Sequence, residues 1–442
     1  MPLILPSNSI SAGGCEVDNS LRFDDGSSDS LQRTPSSSGN RRTWTFSTWF
    51  KRGNIGSSQW ILDAYGGSSD EFHIYISSGN AIGIYTTGGG FGSNLSISTN
   101  NLVRDISAWY HLVVRCDTTQ ATASDRLRIY LNGVEASYGT YNNFTLNGEG
   151  QVNEASTIHY LGRRNAGGYF DGYFAETVLV DGSSLDPTSF GEFDADSGIW
   201  KPIDVSGLTF GSKGFYLPYE NSAALGQDDS GNGNDFTVNN LTSVDQTTDT
   251  PTNNYCTLNP LNFGAGTLSE GNLKWNASGG AGYLAFGTIG IDMGGSNQFY
   301  WETKIDSIAS GVVIGIAPTT LRWNDTGRAG SYGYYSNGDK YNGTSASSYG
   351  VSFTTGDTIG VLAGNGSITF YKNGVSQGVA WSGLSETYLP FLAEIGNTNS
   401  MNFGSPPYTI SSGNSDPAGY GNFEYSTNGG YALNTKNLAE YG

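Results

Sequence analysis

Twice in this chain a run of alternating apolar and polar residues meets an Asn-Gly pair and resumes beyond it: LRIYLNGVEA over 127–136 and ITFYKNGVSQGV over 368–379. Asn-Gly inside period-two alternation marks a two-residue hairpin closed by a type I′ turn, because both central residues must take positive φ, which Gly and Asn adopt at least steric cost. Helix is excluded at both places. Two such hairpins, far apart and on one local plan, predict two β-sandwich modules in tandem.

At 442 residues the chain exceeds what one hydrophobic core usually serves, so two domains with small extensions are expected. Gly, at 64 residues, stands with abundant Ser, Thr, Asn and Tyr, while Lys, Glu and Ala are sparse, a balance that favours strands and tight turns. The fold class expected is all-β. A formal net charge of -19 excludes nucleic acid and an anionic membrane as electrostatic partners, since phosphate binding needs clustered Lys and Arg. Cys15, Cys116 and Cys256 are far apart and lack metal-site spacing, so free thiols are expected. The opening MPLILPSNSISAGG has no basic n-region, and no apolar run approaches about 18 residues, so neither a signal peptide nor a membrane helix is expected. Delivery outside a cell would then depend on something other than an export signal.

Residues 15–205 are expected to form the first sandwich. Alternating runs over 44–51, 60–63, 72–76, 81–85, 109–116, 127–131 and 172–179 lie between Gly/Ser/Asn turns. The ordered segments WTFSTWFKRG, WYHLVVRCD, LRIYLNGVEA and IHYLGRRNAGGYFDGYFAETVLVDGSSLD resemble the laminin-G/pentraxin type of concanavalin-like domain. Period two places Trp49, Trp109, Val113, Ile129, Leu131, Phe174 and Val178 at inward positions of the facing sheets. The resemblance implies a rim calcium ion, for which Asp63, Asp70, Asp171 and Asp181 are the loop-side candidates. A hard cation needs several oxygens converging from separate segments. Asp171 and Asp181 precede Gly and serve equally as turn residues.

Residues 206–256 are expected to be an edge segment and linker. DSGNGNDF within it is a cluster of turn formers, and Asp228, Asp229 and Asp235 lack EF-hand spacing. LTSVDQTTDTPTNNY over 241–255 has the composition of an exposed connector. Residues 257–405 carry FYWETKID, VVIGIAP, SYGYYSNGDKYNG, a GDTIGV strand pair, the FYKNG hairpin and YLPFLAEIGNTNSMNFG. This order resembles the SPRY domain, which implies a bent β-sandwich recognising proteins or peptides through rim loops. A C-terminal extension follows over 406–442. The loop over 319–341 sets Trp323, Asn324, Tyr332, Tyr334, Tyr335 and Tyr341 among Gly, Asn and Ser, a pattern of rigid aromatics and small polar groups that suits ligand binding. Alternate tyrosines packing inward from a strand would give the same pattern.

Catalytic signatures are missing. Retaining glucanases of the concanavalin-like fold need two carboxylates about 5 Å apart, on an E-x-D-x-x-E strand that this sequence lacks. Glu192, Asp194 and Asp196 lie in a Gly-bounded turn, and His73, His111 and His159 adjoin no nucleophile motif. An enzyme is not expected. The composition and the two lectin-like resemblances together resemble a tailed-bacteriophage virion protein, which implies a tail fibre or other appendage that contacts a host-surface glycan or protein. A head-decoration protein and a polysaccharide depolymerase are the alternatives. Calcium is the one cofactor implied, and other virion proteins are the implied partners. Residues 1–14 are expected to dock or oligomerise the chain, with a trimer favoured: Leu3, Ile4 and Leu5 lie between prolines that hold the segment extended.

Overall fold

Both Asn-Gly pairs close their hairpins as expected. Asn132 and Gly133 take φ of 49° and 77°, and Asn373 and Gly374 take 49° and 78°. The structure, a computed structural model, describes residues 14–278, 283–325, 328–394 and 396–442. Leu3, Ile4 and Leu5 of the expected docking peptide lie outside the described residues. The chain divides into two compact units between Thr252 and Asn253, and each is an antiparallel β-sandwich.

In the first unit one sheet runs Val134–Glu135, Leu127–Leu131, Trp109–Asp117, Thr43–Arg52, Gly172–Asp181, Ser20–Phe23, Gln246–Thr247, with Phe215–Leu217 also on Gly172–Asp181. The facing sheet runs Tyr138–Tyr141, Leu95–Leu102, Ala81–Thr87, Asp70–Ile76, Gln59–Gly67, Ile158–Leu161, Ser30–Arg33, Thr237–Asn239. Trp44, Phe46, Phe50, Phe72, Ile74, Ile84, Ile129 and Phe174 fill the space between them. The inward assignment fails for four residues: Trp49 and Trp109 pack with Val17 and Trp200, and Val113 and Val178 with Phe190 and Phe210. The reason is that Thr43–Arg52 is buried on both faces. Alternation then fixes the parity of a strand but not which face meets the main core.

Residues 241–252 of the expected connector are instead part of the first unit, and 253–255 belong to the second. Arg22 pairs with Asp245 at 3.2 Å and Lys51 with Asp249 at 2.7 Å, the latter pair 1% and 2% exposed. Acidic residues that composition reads as solvated are here held by buried cations. The clusters at Asp194 and Asp228 are turns: Asp194 Oδ1 accepts from Asp196 N and Ser197 N, and Asp228 accepts from Tyr216 N, Ser230 N and Asn234 N.

The second unit stacks one sheet of Leu258–Phe263, Tyr283–Gly287, Thr387–Glu394, Val312–Pro318, Tyr332–Tyr335, Asp339–Tyr341 and Ala346–Ser348 on another of Gly266–Ser269, Lys274–Ala277, Thr398–Asn402, Gln298–Ser307, Thr358–Gly364, Ser367–Lys372 and Val375–Ser382. Trp275, Trp301, Ile314, Val361 and Phe370 lie between them. Residues 406–442 belong to this sandwich. Tyr431–Ala432 pairs in parallel with Gln298–Ser307, and Leu433 and Leu438 enter the core. The helix Thr435–Tyr441 is capped by Asn434, whose side chain accepts from Asn437 N at 2.9 Å.

Candidate functional site

The strand Asp70–Ile76 turns Phe72, Ile74 and Ile76 into the core. Period two therefore sets Glu71, His73 and Tyr75 on the outer face of that sheet. Register brings Tyr75 opposite Trp60 and Gly83, and His73 opposite Asp63 and Tyr85. Trp60 and Tyr75 stack at 5.5 Å with 20° between planes, and His73 and Tyr85 at 5.7 Å and 15°. Gly83 permits this: a Cβ there would lie 2.5 Å from the Tyr75 ring, so only Gly lets the ring lie flat on the neighbouring strand. Trp60, Tyr75 and Tyr85 remain half-exposed. At the centre His73 Nδ1 lies 3.0 Å from Asp63 Oδ1, and its Nε2 lies 3.4 Å from Glu71 Oε2.

A loop over 162–169 crosses this face. Asn165 N donates to Asp63 Oδ2 at 2.7 Å, and Trp60 N donates to Gly168 O at 3.2 Å. The Arg163 guanidinium sits 4.9 Å from the Tyr160 ring centre and 5.0 Å from that of Tyr169; Arg164 sits 5.3 Å from Trp60. A flat stack of half-exposed rings suits the C–H face of a pyranose, and fixed guanidinia supply directed donors. Reading the sequence singled out none of Trp60, Tyr75, Tyr85, Arg163 or Arg164. The signal available was parity: DEFHIYI over 70–76 segregates Phe and Ile from Glu, His and Tyr.

The four carboxylates expected at calcium do not meet. Asp63 belongs to the face just described. Asp70 Oδ1 accepts from Gln151 Nε2 at 2.7 Å. Asp181 is a loop clamp that accepts from Asn40 N at 2.6 Å and Lys213 N at 3.0 Å. Among the described residues no group of three or more His, Cys, Asp or Glu converges on a cation position. Asp171 alone has the surroundings of a hard-cation ligand. Asn54 Nδ2 lies 2.8 Å from Asp171 Oδ2 and 3.4 Å from Asp25 Oδ2, and Gln59 Nε2 donates to Asn54 Oδ1 at 2.5 Å. The buried Asp171 Oδ1 and Gln59 Oε1 have no hydrogen-bond partner. Burial, then the charges of Asp25 and Asp24, push the Asp171 carboxyl well above its usual range. Two carboxylates and two amides from three stretches of chain carry the oxygen types a calcium ion takes, and binding one would require the Asn54 amide, whose Oδ1 accepts from Gln59 Nε2 and Ser57 Oγ, to reverse.

The aromatic loop of the second unit is divided by the sheet it joins. Tyr334 is wholly buried, its hydroxyl donating to Val351 O and its ring against Phe353 and Phe370, so it cannot meet a ligand. Tyr332 packs on Trp381 and Tyr388, while Tyr335 and Tyr341 cover Leu284, Phe286, Val313 and Phe391 on the opposite face. Alternation along Tyr332–Tyr335 sends Tyr332 and Tyr334 to one side and Tyr335 to the other, where Tyr341 of the paired strand Asp339–Tyr341 joins it. Trp323, 39% exposed, and Asn324 remain open to solvent.

Among the described residues one serine–histidine pair stands at 2.8 Å, between Ser47 Oγ and His111 Nε2. Trp200 Nε1–H donates to His111 Nδ1 at 2.9 Å. Indole nitrogen can only donate, so the imidazole proton is on Nε2 and is given to Ser47. The histidine is therefore a donor to the serine rather than its base, and burial pushes its pKa down to about 3.

Residues 25–186 match the family model described as the concanavalin A-like lectin/glucanases superfamily, and residues 298–406 match the SPRY domain. No curated protein of similar sequence matches the chain. Among solved structures, the SPRY domain of human HERC1 is similar at 20% identity over 33% of this chain and 96% of that one, with a TM-score of 0.27. Domains LG4-5 of the mouse laminin alpha1 chain are similar at 10% identity over 89% of this chain and 85% of that one, TM-score 0.32. A heptameric SAP-like pentraxin of Limulus polyphemus is similar at 15% identity over 39% and 80%, TM-score 0.28. The chain carries a concanavalin A-like domain followed by a SPRY domain.

Proposed function

We propose that the protein is a recognition component of a tailed-bacteriophage virion, a tail-fibre or appendage protein whose first domain holds a host-surface glycan on the face around Trp60. The observation that carries this reading is the half-exposed stack of Trp60 on Tyr75 beside His73 and Tyr85. Solvent-facing rings held flat in register form a sugar platform, whereas core aromatics are covered. The second domain offers Trp323 and Asn324 to a protein or glycan on the same surface. Other virion proteins are met through residues 1–14, with a trimer as the assembled state. A calcium ion held by Asp25, Asn54, Gln59 and Asp171 would neutralise the buried carboxylate of Asp171 and the exposed one of Asp25 and stiffen the rim.

In this reading the chain binds without cutting. Ser47 lacks a base, and the acids on the aromatic face, Asp63 and Glu71, are both turned to His73. The test is retention of the purified protein on immobilised host envelope glycan, followed by assay for released reducing ends. Retention that Trp60→Ala abolishes, with no products, is the expected result. Undiminished retention of Trp60→Ala overturns the site, and products that vanish on Glu71→Gln overturn the binding-only role. Locating the chain on the particle by electron microscopy tests the appendage assignment, which a head position overturns.

A further inference from the structure

Resting on the glycan reading above, we infer that the face around Trp60 selects a carboxylate-bearing sugar, a hexuronate unit of an acidic polysaccharide, through Arg163 and Arg164. Other arginines without a carboxylate beside them, Arg33, Arg52, Arg126 and Arg322, turn their guanidinium donors to amide and carbonyl oxygens of the protein, so an arginine that keeps its fork open while its plane is fixed beside aromatic rings needs a reason. Here two occur in succession. Among the described residues neither Arg163 nor Arg164 has a carboxylate within ion-pair distance: Arg163 donates Nε to Arg164 O at 2.9 Å and Nη2 to Asn165 O at 2.7 Å. Those bonds leave Nη1 of Arg163 and the whole Arg164 fork without a protein acceptor.

Both guanidinia are nevertheless held in place. Arg163 lies between the rings of Tyr160 and Tyr169, and Arg164 lies over Trp60. The loop tip is closed by Arg164 N to Gly167 O at 3.0 Å and Gly167 N to Arg164 O at 3.2 Å. Gly168, at φ of 68°, lies where a Cβ would be 2.4 Å from the Trp60 ring, so the loop rests directly on the platform. The nearby acids do not neutralise the pair. Asp63 is 0% exposed and Glu71 14%, and both meet His73. What the face presents outward beside its rings is cationic, planar and pre-organised, and a guanidinium fork matches a carboxylate in two parallel hydrogen bonds.

The experiment measures binding of the full chain to polygalacturonate, to its methyl ester and to dextran, with Arg164→Gln, Arg164→Lys and Trp60→Ala variants checked for an unchanged circular dichroism spectrum. Expected is polygalacturonate binding at least about tenfold tighter than binding of the ester, a loss of about tenfold in Arg164→Gln, and a smaller loss in Arg164→Lys, which keeps charge but not the fork. Equal affinity for acid and ester, or an Arg164→Gln variant that binds polygalacturonate undiminished, overturns the inference. In that event binding of dextran or the ester that depends on Trp60 leaves the glycan reading standing. A folded protein that binds none of the three polymers overturns the inference, and the retention assay on host glycan then decides the broader reading separately.

Discussion

Glu176 takes a left-handed φ of 49° where the pairing of Gly172–Asp181 with Thr43–Arg52 slips between Ala175 and Val178. The bulge directs its carboxyl to Tyr216, whose hydroxyl donates to Oε2 at 2.8 Å. Burial first, then Glu220, Asp204 and Asp18, push its pKa up to about 7. A carboxyl raised in the folded state stabilises fully below its unfolded value near 4.5, and that stability is lost as pH rises through about 7. The difference is about 3 kcal/mol. His111 has the opposite sign: lowered to about 3 by burial, it stabilises above its ordinary 6.5 and that contribution is lost as pH falls. Glu176→Gln should therefore raise the melting temperature of the first unit by about 5 °C at pH 8 and leave it nearly unchanged at pH 4. Calorimetry showing the same increment at both pH values would refute the assignment. Glycine at the hairpin tips is a second residue-scale constraint. At Gly374, φ 78°, a Cβ would meet the Tyr425 ring at 2.7 Å, so Gly374→Val should cost the second unit at least about 1 kcal/mol in urea unfolding. An unaltered midpoint would contradict this.

At the scale of elements, the buried Glu302 of Gln298–Ser307 ties the C-terminal segment to the second sandwich. Its carboxylate accepts from Glu424 N at 3.0 Å, Tyr425 N at 2.8 Å, Asn402 Nδ2 at 3.2 Å and Tyr300 Oη at 3.2 Å. Glu302→Ala strands four donors and should destabilise that unit by at least about 3 kcal/mol. Tryptophan fluorescence in urea reads this through Trp275 and Trp301, and an unshifted transition would show that the clasp contributes nothing. Such clasps were not legible in the sequence: residues 406–442 lack strong alternation, and only the register of Gln298–Ser307 shows what Glu302 holds. The hairpins were legible because Asn132-Gly133 and Asn373-Gly374 encode a backbone conformation by themselves. The face of Trp49 and Val113 was not, since Thr43–Arg52 is buried on both sides, its Thr45, Ser47 and Lys51 included. Asp63, Asp70, Asp171 and Asp181 were visible as acids, but convergence belongs to tertiary structure. The loop aromatics at 332–341 were visible too, and strand parity divided them between two faces.

On the scale of the whole molecule the net charge of -19 and the unpaired Arg163 and Arg164 act on different distances. A polyanion approaching at low salt meets the field of the entire acidic chain, whose reach is the Debye length, about 30 Å at 0.01 M and about 8 Å at 0.15 M. Once docked, its carboxylates lie within contact distance of two fixed guanidinia, where short-range hydrogen bonds dominate. Long-range repulsion governs the encounter, and local attraction governs residence. Association of the protein with polygalacturonate should accordingly accelerate several-fold between about 10 and 150 mM NaCl as the repulsion is screened. Dissociation should accelerate over the same range as the arginine contacts weaken, so equilibrium affinity passes through a maximum instead of falling steadily. A basic surface patch that dominated the far field would give the reverse, an association rate that falls with every addition of salt. Surface plasmon resonance across that range separates the two, and a monotonic fall in the association rate would mean that the acidic remainder of the chain is not felt at the Trp60 face.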